Sequence, residues 1–215
     1  MRFGLGVKFS LLVTQAAGQS LLLALIYVAI ACIILGMGLP PIAAYLLVVV
    51  VSGPAVASLG ADLFTVHMFI FYFASLAVIT PPVALAAFAA AGISGGNPFK
   101  TGFLSMRLGI VAFVVPFMFV NSPELLLRGG SLVDSMYAFM SALVGVFLLA
   151  SAMEGYVATR MKLWLRVIAF VGGFALIIPE FWTDVMGVMI LAAIVIQQIV
   201  SKKTEKQIEI NQQTA

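Results

Sequence analysis

GMGLPPIAAY, Gly36 to Tyr45, and ITPPVALAAF, Ile79 to Phe88, decide how this chain is read. Each interrupts an oily run that would otherwise form one long helix. Gly36 and Gly38 open backbone conformations closed to other residues, and each proline pair removes amide donors and holds the preceding residue extended. A helix broken inside hydrocarbon leaves carbonyls and amides unpaired at a cost of several kcal/mol each. Breaks of this kind therefore persist where protein covers them or a cavity uses them.

The surroundings establish that hydrocarbon is the relevant solvent. Of 215 residues, 63% are hydrophobic and 9% charged, and the mean hydropathy is +1.20. That composition excludes a water-soluble domain and points to an all-α integral membrane protein. No Asp, Glu, Lys or Arg occurs from Ser10 to Ala61 or from Leu63 to Phe99, and about 20 apolar residues already cover a bilayer core. Arg2 and Lys8 precede an apolar run that is far too long for a cleavable signal peptide. Cys32, the single cysteine, can form no intrachain disulfide and is read as packing. The net charge of +3 belongs to cytoplasmic loops and gives no ground for nucleic-acid binding.

The chain divides by its punctuation. Residues 1–17 are a lead-in. Residues 19–51, cut by GMGLPP, make two helices too short to cross comfortably, which suits a re-entrant hairpin. SGPAVASLGAD is expected to form a surface turn. Residues 63–92, cut at ITPPVA, are long enough to cross despite the break. SGGNPFKTG reads as a polar loop, and four spans follow, at Phe103–Val120, Val133–Met153, Leu163–Phe181 and Val185–Val200, each unbroken or mildly kinked. Residues 201–215 form a polar cytoplasmic tail. With the hairpin returning to its own side, Lys100, Arg107, Arg160, Lys162, Arg166, Lys202, Lys203 and Lys206 gather on one face, and the positive-inside rule makes it cytoplasmic. Asp62, His67, Glu124, Arg128, Asp134, Glu180 and Asp184 fall opposite, with Arg2 and Lys8 discordant.

The two breaks carry the chemistry. A helix ending near Leu35 presents carbonyl oxygens to a small cation, and one starting after Leu39 presents amides to an anion. Pro40 and Pro41 suit the first turn of that second helix. At the other break Thr80 adds a hydroxyl oxygen beside Pro81 and Pro82. A hairpin paired with a broken crossing helix is the pattern of ion-coupled secondary transporters. His67 is the only histidine, so no histidine metal cluster exists, and no nucleophilic triad or phosphate-binding loop is present. The chain is read as no enzyme and as needing no cofactor. Tyr45, Tyr72, Ser75 and Asn121 are candidates to line a polar cavity, or else helix-to-helix hydrogen-bonding groups.

The run GMGLPPIAAYLLVVVVSGPAVASLGAD, followed by VHMFIFYFASLAVITPPVALAAFAAAGISGGNPFKTGFLSMRLGIVAFVVPFMFV, closely resembles the large membrane subunit of tripartite ATP-independent periplasmic (TRAP) transporters, and more narrowly the fused TAXI-type permeases. The resemblance implies that residues 18–127 form the second inverted repeat of an elevator-type transporter: hairpin 19–51, broken helix 63–92 and helix 103–120. Residues 128–200 are similar to the C-terminal membrane extension of the fused permeases, with three helices. By the same resemblance, Gly36, Met37, Gly38, Leu39 and Pro40 match the hairpin tip and Thr80 the threonine of a sodium site, with Pro81 and Pro82 shaping the break. It further implies sodium as coupling ion, protons being the alternative, and a carboxylate substrate delivered by a periplasmic solute-binding protein in a bacterial inner membrane. A first repeat, scaffold helices and a small-subunit region are expected in a separately encoded half, this chain being a C-terminal portion or a split-gene product. The rival readings are a non-transporting membrane scaffold or assembly subunit and an unrelated ion-coupled carrier.

Overall fold

The computed structural model describes residues 4–176 and 181–213, all of whose regular structure is helical apart from one isolated bridge between Tyr156 and Arg160. Two compact units divide the chain at Pro123. The first contains α1 (Gly4–Ala16), α2 (Leu21–Gly36), α3 (Pro41–Ala57), α4 (Leu63–Leu76), α5 (Leu85–Ser94), α6 (Pro98–Leu108) and α7 (Val115–Asn121). The second contains α8 (Leu132–Glu154), α9 (Leu163–Ala175) and α10 (Phe181–Gln213).

In the first unit the helices α2 and α3 are joined through GMGLPP and pack against each other. Ser20 caps α2 by accepting the Leu23 amide, and Pro41 begins α3 where a missing N–H is harmless. The core of the unit joins Val28 and Cys32 of α2, Val48 and Val56 of α3, and Phe69, Ile70 and Phe73 of α4, with Phe117 of α7 edge-on to Phe69. Cys32 is fully buried among them.

Three expectations are corrected here. Residues 1–17 are more than a lead-in, because α1 is helical and packs on α3. The expected surface turn begins late, since α3 continues through Ser52, Gly53 and Pro54 to Ala57. A proline inside a helix frees the carbonyl four residues earlier, here Val50, and disturbs the turn before it. The helix α1 covers that defect: the Ser10 hydroxyl donates to Val51 O at 3.0 Å, and Gly6 comes so close to Val50 that a Cβ there would lie 3.5 Å from its carbonyl oxygen.

The third correction concerns Phe103–Val120, which is neither straight nor mildly kinked. It begins inside α6, which takes in most of the supposed polar loop with Asn97 as its cap and Pro98 as its first residue. After α6 the chain passes Gly109 and a 3-10 turn into α7, with a bend of 60°. Pro116 withdraws an amide from this stretch, and Gly109 is pressed against the broken helix: a Cβ on it would meet Ile79 Cδ1 at 2.9 Å.

The second unit pairs two long helices, α8 and α10, with α9, which ends at Ala175 after 13 residues and so falls short of the span expected over Leu163–Phe181. A reciprocal cap between Ser131 and Asp134 starts α8, and Gly155, left-handed at φ 72°, ends it. Small residues let the backbones close: a Cβ on Gly173 of α9 would lie 2.9 Å from Gly145 O of α8, and one on Gly172 would lie 2.8 Å from Ile190 of α10. Among the described residues, two helices, Leu132–Glu154 and Trp182–Val200, are long and apolar enough to cross a membrane, or three if the bent pair is one span. Arg2 and Glu180 lie outside the described residues, as do the side chains of the tail beyond Lys202, whose backbone continues α10 to Gln213.

Candidate ion and substrate site at two helix breaks

The hairpin tip is shaped by two short turn bonds. The Met37 amide donates to Ile34 O at 3.4 Å and the Leu39 amide to Gly36 O at 3.1 Å. These occupy two of the roughly four carbonyls that a helix end leaves over. Gly38 is left-handed at φ 80°, which only glycine adopts without strain, and Pro40 stands extended before α3. At this tip the carbonyl end of α2 and the amide end of α3 lie four residues apart.

The second break repeats this polarity. From α4 the chain tightens into a 3-10 turn at Ala77–Ile79, runs extended through Thr80, and resumes as α5 at Leu85. Thr80 is 4% exposed, and its hydroxyl donates to Leu76 O at 2.7 Å. With its proton turned back into the helix, Thr80 Oγ1 keeps its lone pairs directed elsewhere. Ala84 is left-handed at φ 37° and fully buried, an uncommon conformation for a residue with a Cβ. Strain of this kind concentrates at ligand sites.

The two breaks meet. Gly36 is so close to the broken helix that a Cβ on it would fall 2.9 Å from Ala77 Cβ, and one on Gly38 would be 3.9 Å from Val83. The helix α6 adjoins the second break through Gly102, where a Cβ would touch Ala84 at 3.4 Å and Pro81 at 3.5 Å. The sequence reading picked out Gly36, Met37, Gly38, Leu39, Pro40, Pro41, Thr80, Pro81 and Pro82; it missed Ala77, Val83, Ala84, Gly102 and Gly109, which bring the breaks together or cover them. Gly102 on α6 and Gly109 just after it, seven apart, were the available signal.

No group of three His, Cys, Asp or Glu side chains converges among the described residues. A cation here would be held by main-chain and hydroxyl oxygens, the ligand type of hard ions. The polar side chains proposed for a cavity behave as helix-satisfied groups. Ser75 donates to Phe71 O and Asn121 to Phe117 O, each four residues back. Tyr72 packs edge-on to Phe119, and the Tyr45 hydroxyl and His67 Nδ1 are 2.8 Å apart, tying α3 to α4.

The second unit holds a polar cluster that the sequence did not reveal. Asp184, read there as a loop charge, is 8% exposed and accepts from the hydroxyls of Tyr137 and Ser141, the latter at 2.6 Å. Tyr137 and Ser141 lie four apart on one face of α8, the only available hint.

Comparison with known families agrees with the geometry of the first unit. The family model described as tripartite ATP-independent periplasmic transporter, DctM component, matches residues 2–132. The chain belongs to the DctM family. DctM components are transport proteins and not enzymes, so the broken helices are those of a permease component of a TRAP-type system. Residues 135–211 match a domain of unknown function, DUF3394. No curated protein and no solved structure gives a match.

Proposed function

We propose that this DctM chain supplies the second hairpin-and-broken-helix repeat of a sodium-coupled, elevator-type carrier for an organic acid, working in the bacterial inner membrane. The observation that carries the reading is the meeting of Gly36 and Gly38 with Ala77 and Val83, which puts two helix carbonyl ends and two helix amide ends at one place. Carbonyl ends favour a cation and amide ends a carboxylate. Gly36, Gly38 and Thr80 hold the ion; Met37, Leu39, Pro40, Pro41, Pro81 and Pro82 shape the gap that receives the substrate. Sodium that orders the tip strengthens carboxylate binding there, and the carboxylate strengthens sodium binding by the same factor. A periplasmic solute-binding protein delivers the cargo, and a partner permease half or small membrane subunit completes the site. The TAXI-type fused permeases are the branch we place it in.

Hydrogen exchange on the purified chain, in sodium against choline chloride, tests the ion. Sodium is expected to slow exchange of the Met37, Gly38 and Leu39 amides selectively, and protons to substitute at low pH if they are the coupling ion. A folded sample with no ion-dependent protection would favour the scaffold reading instead.

A further inference from the structure

The groove between α9 and α10 belongs to neither the helix breaks nor the buried Asp184. It encloses about 290 Å³ and is lined by Trp164, Ile168, Met186, Met189, Ile190 and Gln197, among others. From Met186 to Gln197 the helix rises about 16 Å, close to half of the ~30 Å hydrocarbon core. The groove thus has the depth of one leaflet. Its narrow apolar lining over that length suits an extended hydrocarbon chain.

The rim at the Gln197 end is basic. Next to Gln197, Gln198 Oε1 accepts the Thr159 amide at 2.8 Å and its hydroxyl at 2.9 Å, which fixes the loop between α8 and α9 beside this turn of α10. Arg160 and Lys162 of that loop are exposed, and Lys202 follows one turn beyond Gln198. Arg166 adds its charge while donating to the carbonyls of Ala152 and Met153. Glu154 is the one acid at this end among the described side chains. Trp164, 55% exposed, stands at the rim, and Gln197 Oε1 is buried without a donor where a polar headgroup would begin.

We infer that this groove seats one acyl chain of an anionic phospholipid whose phosphate lies over Lys162 and Lys202. Basic residues at a membrane face attract anionic headgroups, and the apolar slot turns that general attraction into a defined seat. The site is independent of the helix breaks.

The chain has two tryptophans, so Trp182→Phe leaves Trp164 as the single reporter inside the groove. Brominated phosphatidylglycerol or brominated phosphatidylcholine is titrated into phosphatidylcholine vesicles carrying this protein, and quenching is followed. The phosphatidylglycerol is expected to reach half-quenching at a mole fraction roughly thirtyfold lower, the scale that two lysines supply near an anionic headgroup. Lys162→Gln with Lys202→Gln should remove the preference. So should Ala193→Phe, which fills the groove; Met189→Phe serves if the former does not fold. Equal quenching by both lipids would overturn the inference, since it describes ordinary annular lipid. A preference that survives both groove-filling variants would reduce the effect to surface charge and overturn the seat. Quenching by neither lipid would mean that protein occupies the groove.

Discussion

The two units solve the problem of polarity in hydrocarbon in opposite ways. In the first, the helices are short and interrupted, and the polar atoms left at the breaks belong to the main chain around Gly36 and Thr80. In the second, the helices run unbroken, and polarity resides in side chains that satisfy one another: Tyr137 and Ser141 on Asp184, Thr159 on Gln198. Glycine serves both and differs in purpose. Gly145, Gly172 and Gly173 bring intact backbones together, whereas Gly36 and Gly38 bring two breaks together. Main-chain oxygens at a break can be shared with a ligand; side chains committed to each other hold a bundle shut.

The largest expected effect is in the intact bundle. Gly173→Leu forces side-chain atoms onto backbone that cannot yield, with contacts of 2.9 Å already at the first carbon. We expect a loss of about 3 kcal/mol or more, read by chemical denaturation in detergent; a loss under ~1 kcal/mol would break the contrast. Asp184→Ala strands two hydroxyls and should destabilise by about 2–3 kcal/mol, with Asp184→Asn recovering part of it in the same assay.

At the breaks stability and ion response should separate. Gly36→Val pushes its side chain into Ala77, and the sodium-dependent protection of the tip should disappear while α8 to α10 exchange as before. Thr80→Ala loses one hydrogen bond, about 1 kcal/mol, yet should raise the sodium needed for half-maximal protection by roughly tenfold, or ~1.4 kcal/mol of binding. Thr80→Ser should restore it; an unchanged sodium midpoint in Thr80→Ala would remove Thr80 from the site. The smallest effect is a gain: Gly92→Ala in α5 meets no atom within 4 Å, so it should stabilise by about 0.5–1 kcal/mol.

Both interruptions were legible because Pro pairs and Gly-X-Gly in apolar sequence have few other uses: α2 ends at Gly36, and α4 gives way to a 3-10 turn before Thr80. What was not legible was contact. Nothing in the local sequence says that Gly36 faces Ala77 or that Gly109 faces Ile79, because such closeness is decided by partners from distant segments. Pro54 misled for a related reason. Its local effect is to stop a helix, yet α3 continues past it, with α1, read as a mere lead-in, packed over the disturbed turn. Asp184 was indistinguishable from a loop charge until two α8 hydroxyls, 43 and 47 positions away, were seen to reach it.

The Ser10 hydroxyl on Val51 acts as a splint for a cracked rod. It follows that shortening the chain from its front uncovers the turn that Pro54 disturbs, at the base of the hairpin. Engineered versions of this protein should therefore carry their purification tags behind α10 rather than in place of α1.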